Sequence, residues 1–156
     1  MKKASTTGIR NFKGTLVSLR LSANDNSDGL SIIEHRMPHG EATPLHIHRN
    51  EDEVFHILSG TMRFEIGGSI VVAHGGDVLC APKGVAHRFV VESPEGAHCL
   101  TIMRGTDFET MVLEMSEPAA TEHVPPVQPP TADMIAALAA ACSRNGIDII
   151  GPPLAA

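Results

Sequence analysis

Tryptophan and tyrosine are absent from this 156-residue chain, whose aromatic side chains other than histidine are five phenylalanines. Stacking onto a large planar ligand would therefore rest on few rings. Cysteine is also scarce: Cys80, Cys99 and Cys142 are three in number, with no CxxC pair. That excludes a disulfide framework and a thiolate zinc site, and leaves each as an expected buried, reduced thiol. Positive charge is in deficit, with 12 Lys and Arg against 18 Asp and Glu, a formal net charge of −6 and no long basic run. A phosphate backbone or an anionic membrane is not the partner such a surface attracts, so neither nucleic acid nor membrane is expected. No segment approaches the roughly 18 to 20 apolar residues of a bilayer span. The opening stretch MKKASTTGIRNFKG lacks the apolar run of a secretory leader, and the expected location is the cytoplasm.

What the chain does have is length for one core and a pattern of short strands. Leu30–Met37, Val54–Leu58, Thr61–Ile66, Ile70–Ala73, Arg88–Glu92 and His98–Met103 are rich in Val, Ile and Phe and are punctuated by Gly, Pro, Asn or Asp. No helical period intervenes between them. The spacing predicts an all-β antiparallel sandwich or barrel. Ile66–Ser69, IGGS, reads as a hairpin turn, because glycine takes the positive φ that tight hairpins demand. After Met103, Thr106 and Glu109 form a capping-box pattern ahead of one short helix. The organisation expected is a barrel with an N-terminal strand segment over 1–117, a proline-rich linker over 118–130, and a C-terminal helix and tail over 131–156. In that helix Thr131 is the cap, Met134, Ile135, Leu138 and Ala141 the apolar side, and Gly146 the stop.

Set into the strand pattern is HGEATPLHIHRNEDEVFHILSG, His39–Gly60, which places histidines and carboxylates among residues that read as core. His46 and His48 are two apart, so on a strand they leave the same face and can reach one ion. Glu53 is out of phase with them, which requires Arg49–Asp52 to be a turn or bulge that returns the carboxylate to the same interior. Further on, Pro82 and Gly84 make a turn just before His87, a candidate third imidazole. Two or three imidazoles with one carboxylate form the ligand set of a divalent transition-metal site. Burying these groups unpaired would cost several kcal/mol, which argues against their being unrelated core residues.

The same residues resemble the two motifs of the cupin superfamily. Gly40, His46, His48, Glu53 and Gly60 stand at the spacings of the first, and Gly76, Pro82, Gly84 and His87 at those of the second. Nine fixed residues at fixed spacings arise by chance with odds on the order of 10⁻¹⁰ per starting point. The family pattern ends with Asn four residues after the last histidine; here Val91 stands there, which touches a structural position and leaves the ligand positions intact. The resemblance spans about residues 30 to 105. The remainder, including GIDIIGPP, is similar to tails of small bacterial cupins labelled quercetin dioxygenase-like.

The resemblance implies a single jelly-roll β-barrel with short C-terminal helices, commonly paired as a homodimer, with His46, His48, Glu53 and His87 holding one divalent ion, Fe, Mn, Ni, Cu or Zn. Four protein ligands on an ion that prefers six leave positions open for an oxygen-bearing small-molecule substrate. Dioxygenase chemistry is the leading implied activity, with Glu53 as catalytic proton acceptor. Metal-dependent binding without turnover, and Lewis-acid isomerisation or decarboxylation, need the same ligands. Inward positions Met37, Phe55, Phe64 and Phe89 are expected to wall the pocket, and being apolar they favour a small or aromatic-like substrate. His56 is read as packing on the outer face. His35, in phase with Ile33 and Met37, is read as structural, with a place beside the metal or the substrate as its other option. His39, His74, His98 and His123 receive no role.

Overall fold

The structure, a computed structural model, describes residues 8–155; the first half of the opening stretch MKKASTTGIRNFKG lies outside them. In chain order the elements are β1 (Arg10–Phe12), β2 (Thr15–Leu21), β3 (Leu30–Met37), β4 (Pro44–His48), β5 (Glu53–Ser59), β6 (Thr61–Ile66), β7 (Ser69–His74), β8 (Val78–Ala81), β9 (His87–Val91), β10 (Ala97–Arg104), α1 (Asp107–Met115), β11 (Glu117–Pro118), α2 (Ala132–Arg144) and β12 (Ile147–Pro153). The strands form two antiparallel sheets of seven and five, in the orders β11-β1-β2-β3-β10-β5-β8 and β12-β4-β9-β6-β7. This is the all-β jelly roll expected, as two sheets rather than one closed ring of strands. No helix among the described residues is long and apolar enough to cross a membrane.

Period-two alternation builds the core. In β5, Glu53, Phe55 and Ile57 are buried while Val54 and His56 are only partly covered, and in β6 Met62 and Phe64 are buried beside half-covered Arg63 and Glu65. Of these, Phe55, Ile57, Met62 and Phe64 join Met37, Phe89, Val91 and Cys99 in one apolar cluster. Each such fully buried side chain contributes about 1.5–3 kcal/mol. Gly67 and Gly68 close the predicted β6–β7 hairpin, both at positive φ. Gly60 at φ 88 is required by contact as well as conformation, because a Cβ there would meet the Ala97 Cα at 2.8 Å. Val91 is buried at the position where the family pattern has Asn.

A second cluster joins Val17, Leu19 and Ile33 to Met111 and Val112 of α1, Ala141 and Cys142 of α2, and Ile147 of β12. Several expectations need correction here. The segment after Gly146 is a strand that pairs with β4, Ile147 opposite His48 and Ile149 opposite His46. Its end is held by Arg88, whose Nη1 donates to the Pro152 carbonyl at 2.8 Å, and by Arg63, whose Nη2 donates to that of Ala155 at 2.8 Å. Helix α2 docks through its C-terminal half; Ile135, expected on its apolar side, is 55 % exposed. Thr131 does cap it, accepting from the Met134 N–H at 3.2 Å. Thr106 makes no side-chain cap to α1. Buried Glu51 does so instead, accepting from the Asp107 and Phe108 N–H groups at 2.9 and 3.0 Å, while Glu109 turns away to accept from Ser22 Oγ at 2.6 Å. Finally, Cys80 is exposed, because it points outward from β8 at the edge of the seven-stranded sheet; Cys99 and Cys142 are buried as expected.

Candidate metal centre

The four residues singled out by spacing converge between the two sheets. His46 and His48 come from β4, His87 from β9 directly opposite His46, and Glu53 from the first position of β5 in the facing sheet. Arg49–Asp52 is thus the turn that the phase of Glu53 required, and it works by carrying the chain across from one sheet to the other. One ligand atom from each residue lies within 4.8 Å of all the others, and all four residues are buried. Glu53 Oε2 is 2.9 Å from His87 Nε2, 3.2 Å from His48 Nε2 and 3.9 Å from His46 Nε2. Ligand atoms held about 2.0–2.2 Å from one ion lie about 3 Å apart when adjacent.

Hydrogen bonding decides which ring nitrogens are free. His46 Nδ1 donates to the Pro44 carbonyl at 2.8 Å and His87 Nδ1 to the Val85 carbonyl at 2.9 Å; a carbonyl only accepts, so in the neutral rings the Nε2 lone pairs face the cluster. His48 is 1 % exposed and neither of its nitrogens has a hydrogen-bond partner among the described residues, since Glu53 at 3.2 Å lies outside bonding geometry. An orphaned imidazole and a carboxylate oxygen facing three ring nitrogens are costly arrangements unless a cation lies among them. Burial lowers His46, favouring its neutral form. For Glu53, burial pushes the carboxyl up, but His48 beside it and the other imidazoles outweigh this and hold it well below the usual range. Burial lowers His87 too, and Glu53 reverses that, so its net direction is up. The donor set fits a divalent transition metal.

Beside the cluster lies a cavity of about 100 Å³ lined by all of its residues except His87. Met37, Phe55 and Phe89, three of the four expected wall positions, line this cavity. Phe64 does not: it sits a layer behind, fully buried, with its ring 4.9 Å from that of Phe55 and 5.6 Å from that of Phe89. Sequence reasoning missed the opposite wall, formed by Phe108 and Met111 of α1, Leu138 and Cys142 of α2, and Ile147 and Ile149 of β12. His35, read as structural with a place beside the metal or substrate as its other option, lines the cavity, its ring bonded through Nε2 to Thr101 Oγ1 at 2.9 Å. Burial lowers the His35 pKa to about 4 and keeps it neutral.

Residues 33–103 match the family model of the cupin domain. The chain carries a cupin domain. Solved structures with the same fold include KdgF of Halomonas sp. (TM-score 0.54, 18 % identity, over 62 % of this chain and 84 % of that one) and an RmlC-like cupin of Shewanella frigidimarina (TM-score 0.53, 21 % identity, over 62 % and 82 %). The polyketide cyclase RemF of Streptomyces resistomycificus is a third (TM-score 0.51, 20 % identity, over 66 % and 69 %). At these identities the likeness concerns the fold. No curated protein matches the sequence significantly. The cupin match ends at Met103, so α1, α2 and β12, which complete the cavity, lie beyond it.

Proposed function

We propose that this cupin binds one divalent transition metal, iron, manganese, nickel, copper or zinc, through His46, His48, Glu53 and His87. We further propose that it acts as a dioxygenase-type enzyme on a small, oxygen-chelating substrate. The observation that carries this reading is the buried cluster of three imidazoles and one carboxylate, with His48 unpartnered, beside an apolar cavity. A bound metal with open positions would supply Lewis acidity and, if redox-active, a route to dioxygen. The chain's own residues do the rest. Pro44 and Val85 fix the imidazoles of His46 and His87, and the apolar walls Phe55, Phe89 and Phe108 keep bulk water from the reacting atoms. An engineered apolar cavity of about 150 Å³ admits benzene. A cavity of about 100 Å³ therefore suits a compound of similar or smaller size and excludes a flavonol.

Metal analysis of protein expressed in its native host tests the first part: about one ion per chain is expected, falling sharply in His48→Ala. Full occupancy after replacing both His46 and His48 would sink the assignment. Dioxygen consumption by iron-, manganese-, nickel- and copper-loaded protein tests the second, against catechols, β-diketones and hydroxy-ketones. Tight binding of these compounds with no uptake would favour a non-catalytic binding role. The partner proposed for the chain is a second copy of itself. In support, edge strands β7 and β8 leave Ile70, Val72 and Val78 exposed at 55 %, 45 % and 61 %, an apolar strip that pairing would cover. Light scattering should return twice the chain mass; a monomer at micromolar concentration would refute it.

A further inference from the structure

A second acidic residue lines the same cavity, and nothing among the described residues holds its carboxylate. Glu41 lies in the connection between β3 and β4 and lines the cavity together with Thr43, Pro44 and His46. Its main chain is fastened to β9. The Gly40 N–H donates to the Val91 carbonyl at 3.0 Å, the Val91 N–H to the Glu41 carbonyl at 2.8 Å, and the Thr43 N–H to the Phe89 carbonyl at 3.1 Å. The connection cannot swing outward without breaking these bonds. Among the described residues the carboxylate has neither a hydrogen bond nor an ion pair, and no lysine or arginine among them lines the cavity to neutralise it. Burial alone lifts its pKa to about 7. An unpaired half-buried carboxylate is a cost that packing does not explain, and a group that accepts and returns a proton near neutral pH is what acid–base chemistry requires.

We propose that Glu41 is the proton-transfer residue of this site. With a small hydroxy-ketone or dicarbonyl compound in the cavity, its carboxylate removes the proton from the carbon beside the carbonyl. The C–H bond breaks, its electron pair stays on the substrate as the enolate, and the proton rests on Glu41 until it is returned to substrate or product. Glu53 is placed differently, with Oε2 within 3.9 Å of the three imidazoles, as a ligand would be. The inference rests on the metal-centre reading above and adds to it the group that moves the proton and the class of compound it acts on.

The test uses full-length, metal-loaded protein with 3-hydroxybutan-2-one in D₂O, following exchange at the hydroxyl-bearing carbon by proton NMR. The wild type should accelerate exchange, Glu41→Gln should lose about 10²-fold or more, and Glu41→Asp should fall between them. Metal content should be unchanged in both variants. A readout independent of turnover is ¹³C NMR of protein labelled at glutamate Cδ, where the resonance missing from Glu41→Gln should move when the probe is added. The proposal is overturned, with the metal-centre reading intact, if metal-loaded wild type gives no exchange above the solvent rate, if Glu41→Gln exchanges like wild type, or if that resonance does not move. A wild type that binds no divalent ion overturns both.

Discussion

Replacing Glu41 by glutamine should make the metal-free protein more stable at pH 8 than the wild type, by an amount that shrinks as the pH falls. The carboxyl titrates at about 7 in the folded chain against its ordinary 4.5, because burial disfavours the charge and nothing opposite compensates it. The folded value is the raised one, so the native state holds the proton more tightly than the unfolded state. The stabilisation this represents is complete below about pH 4.5 and is lost as the pH climbs through about 7, where folding must bury an ion. Each pKa unit corresponds to about 1.4 kcal/mol, which sets a ceiling of about 3.5 kcal/mol. Water reaches a half-buried side chain, and screening reduces the expected difference to about 1–2 kcal/mol. Glutamine has nearly the same volume and no charge in either state, so it escapes the loss. Urea unfolding of both chelator-treated proteins at pH 5 and pH 8 measures it. With slopes of about 1–3 kcal/mol per molar, the midpoints should separate by roughly half a molar or more between the two pH values. Parallel pH dependence of the two proteins would show that the Glu41 carboxylate is solvated, and would refute the reasoning.

Glu51→Ala should destabilise the fold by about 2–4 kcal/mol, since it strands the two N–H groups of α1 that the carboxylate caps; calorimetry should show a melting point lower by roughly 5–10 °C, whereas Thr106→Ala should change it little. Deleting everything after Pro118 removes Ala141, Cys142 and Ile147 from the second core and leaves β4 without its β12 neighbour. The truncated chain should melt earlier and retain less metal, and equal stability and occupancy would show that the tail is dispensable. Occupancy should also fall below roughly pH 6, because an imidazole must be neutral to ligate and its ordinary pKa is near 6.5; a flat profile from pH 8 to 5, measured after equilibrium dialysis, would count against histidine ligation.

The legible and illegible parts of this molecule differ in how local their causes are. His46 and His48 could be read because strand geometry over three residues decides their common face, and Phe55 and Met62 because alternation decides inward from outward. Alternation does not give depth. Phe64 points inward as firmly as Phe55 but sits a layer behind it, a matter of how the two sheets are stacked. The cap of α1 was misread for a related reason. Thr106 and Glu109 satisfy the local pattern, but Glu51, more than fifty residues earlier, reaches the helix end first, and Gly105 leaves the space its carboxylate fills: a Cβ there would overlap it. Strand β12 was missed because Gly151, Pro152 and Pro153 read as punctuation, while the partner that makes it a strand, β4, lies about a hundred residues away.

These long-range pieces share a location, and that bears on function. The proposed ligands His46, His48, Glu53 and His87 all fall within the residues that match the cupin family. Much of the cavity wall facing them does not: Phe108, Met111, Leu138, Cys142, Ile147 and Ile149 all lie beyond Met103. On the proposed reading, the family pattern governs whether a metal is held, while the C-terminal elements govern what fits beside it. Leu138 lies on the half of α2 that packs against the cavity, so Leu138→Ala should enlarge the space open to substrate while leaving the ligands untouched. A Leu→Ala change of this kind costs about 2–5 kcal/mol in a core and less where the side chain is only partly buried. The expected outcome is unchanged metal content with tighter binding of compounds larger than the wild type admits, measured by calorimetry over a series of alkyl-extended hydroxy-ketones. If chain length is discriminated identically in both proteins, the C-terminal elements only cover the site, and selectivity lies within the cupin match.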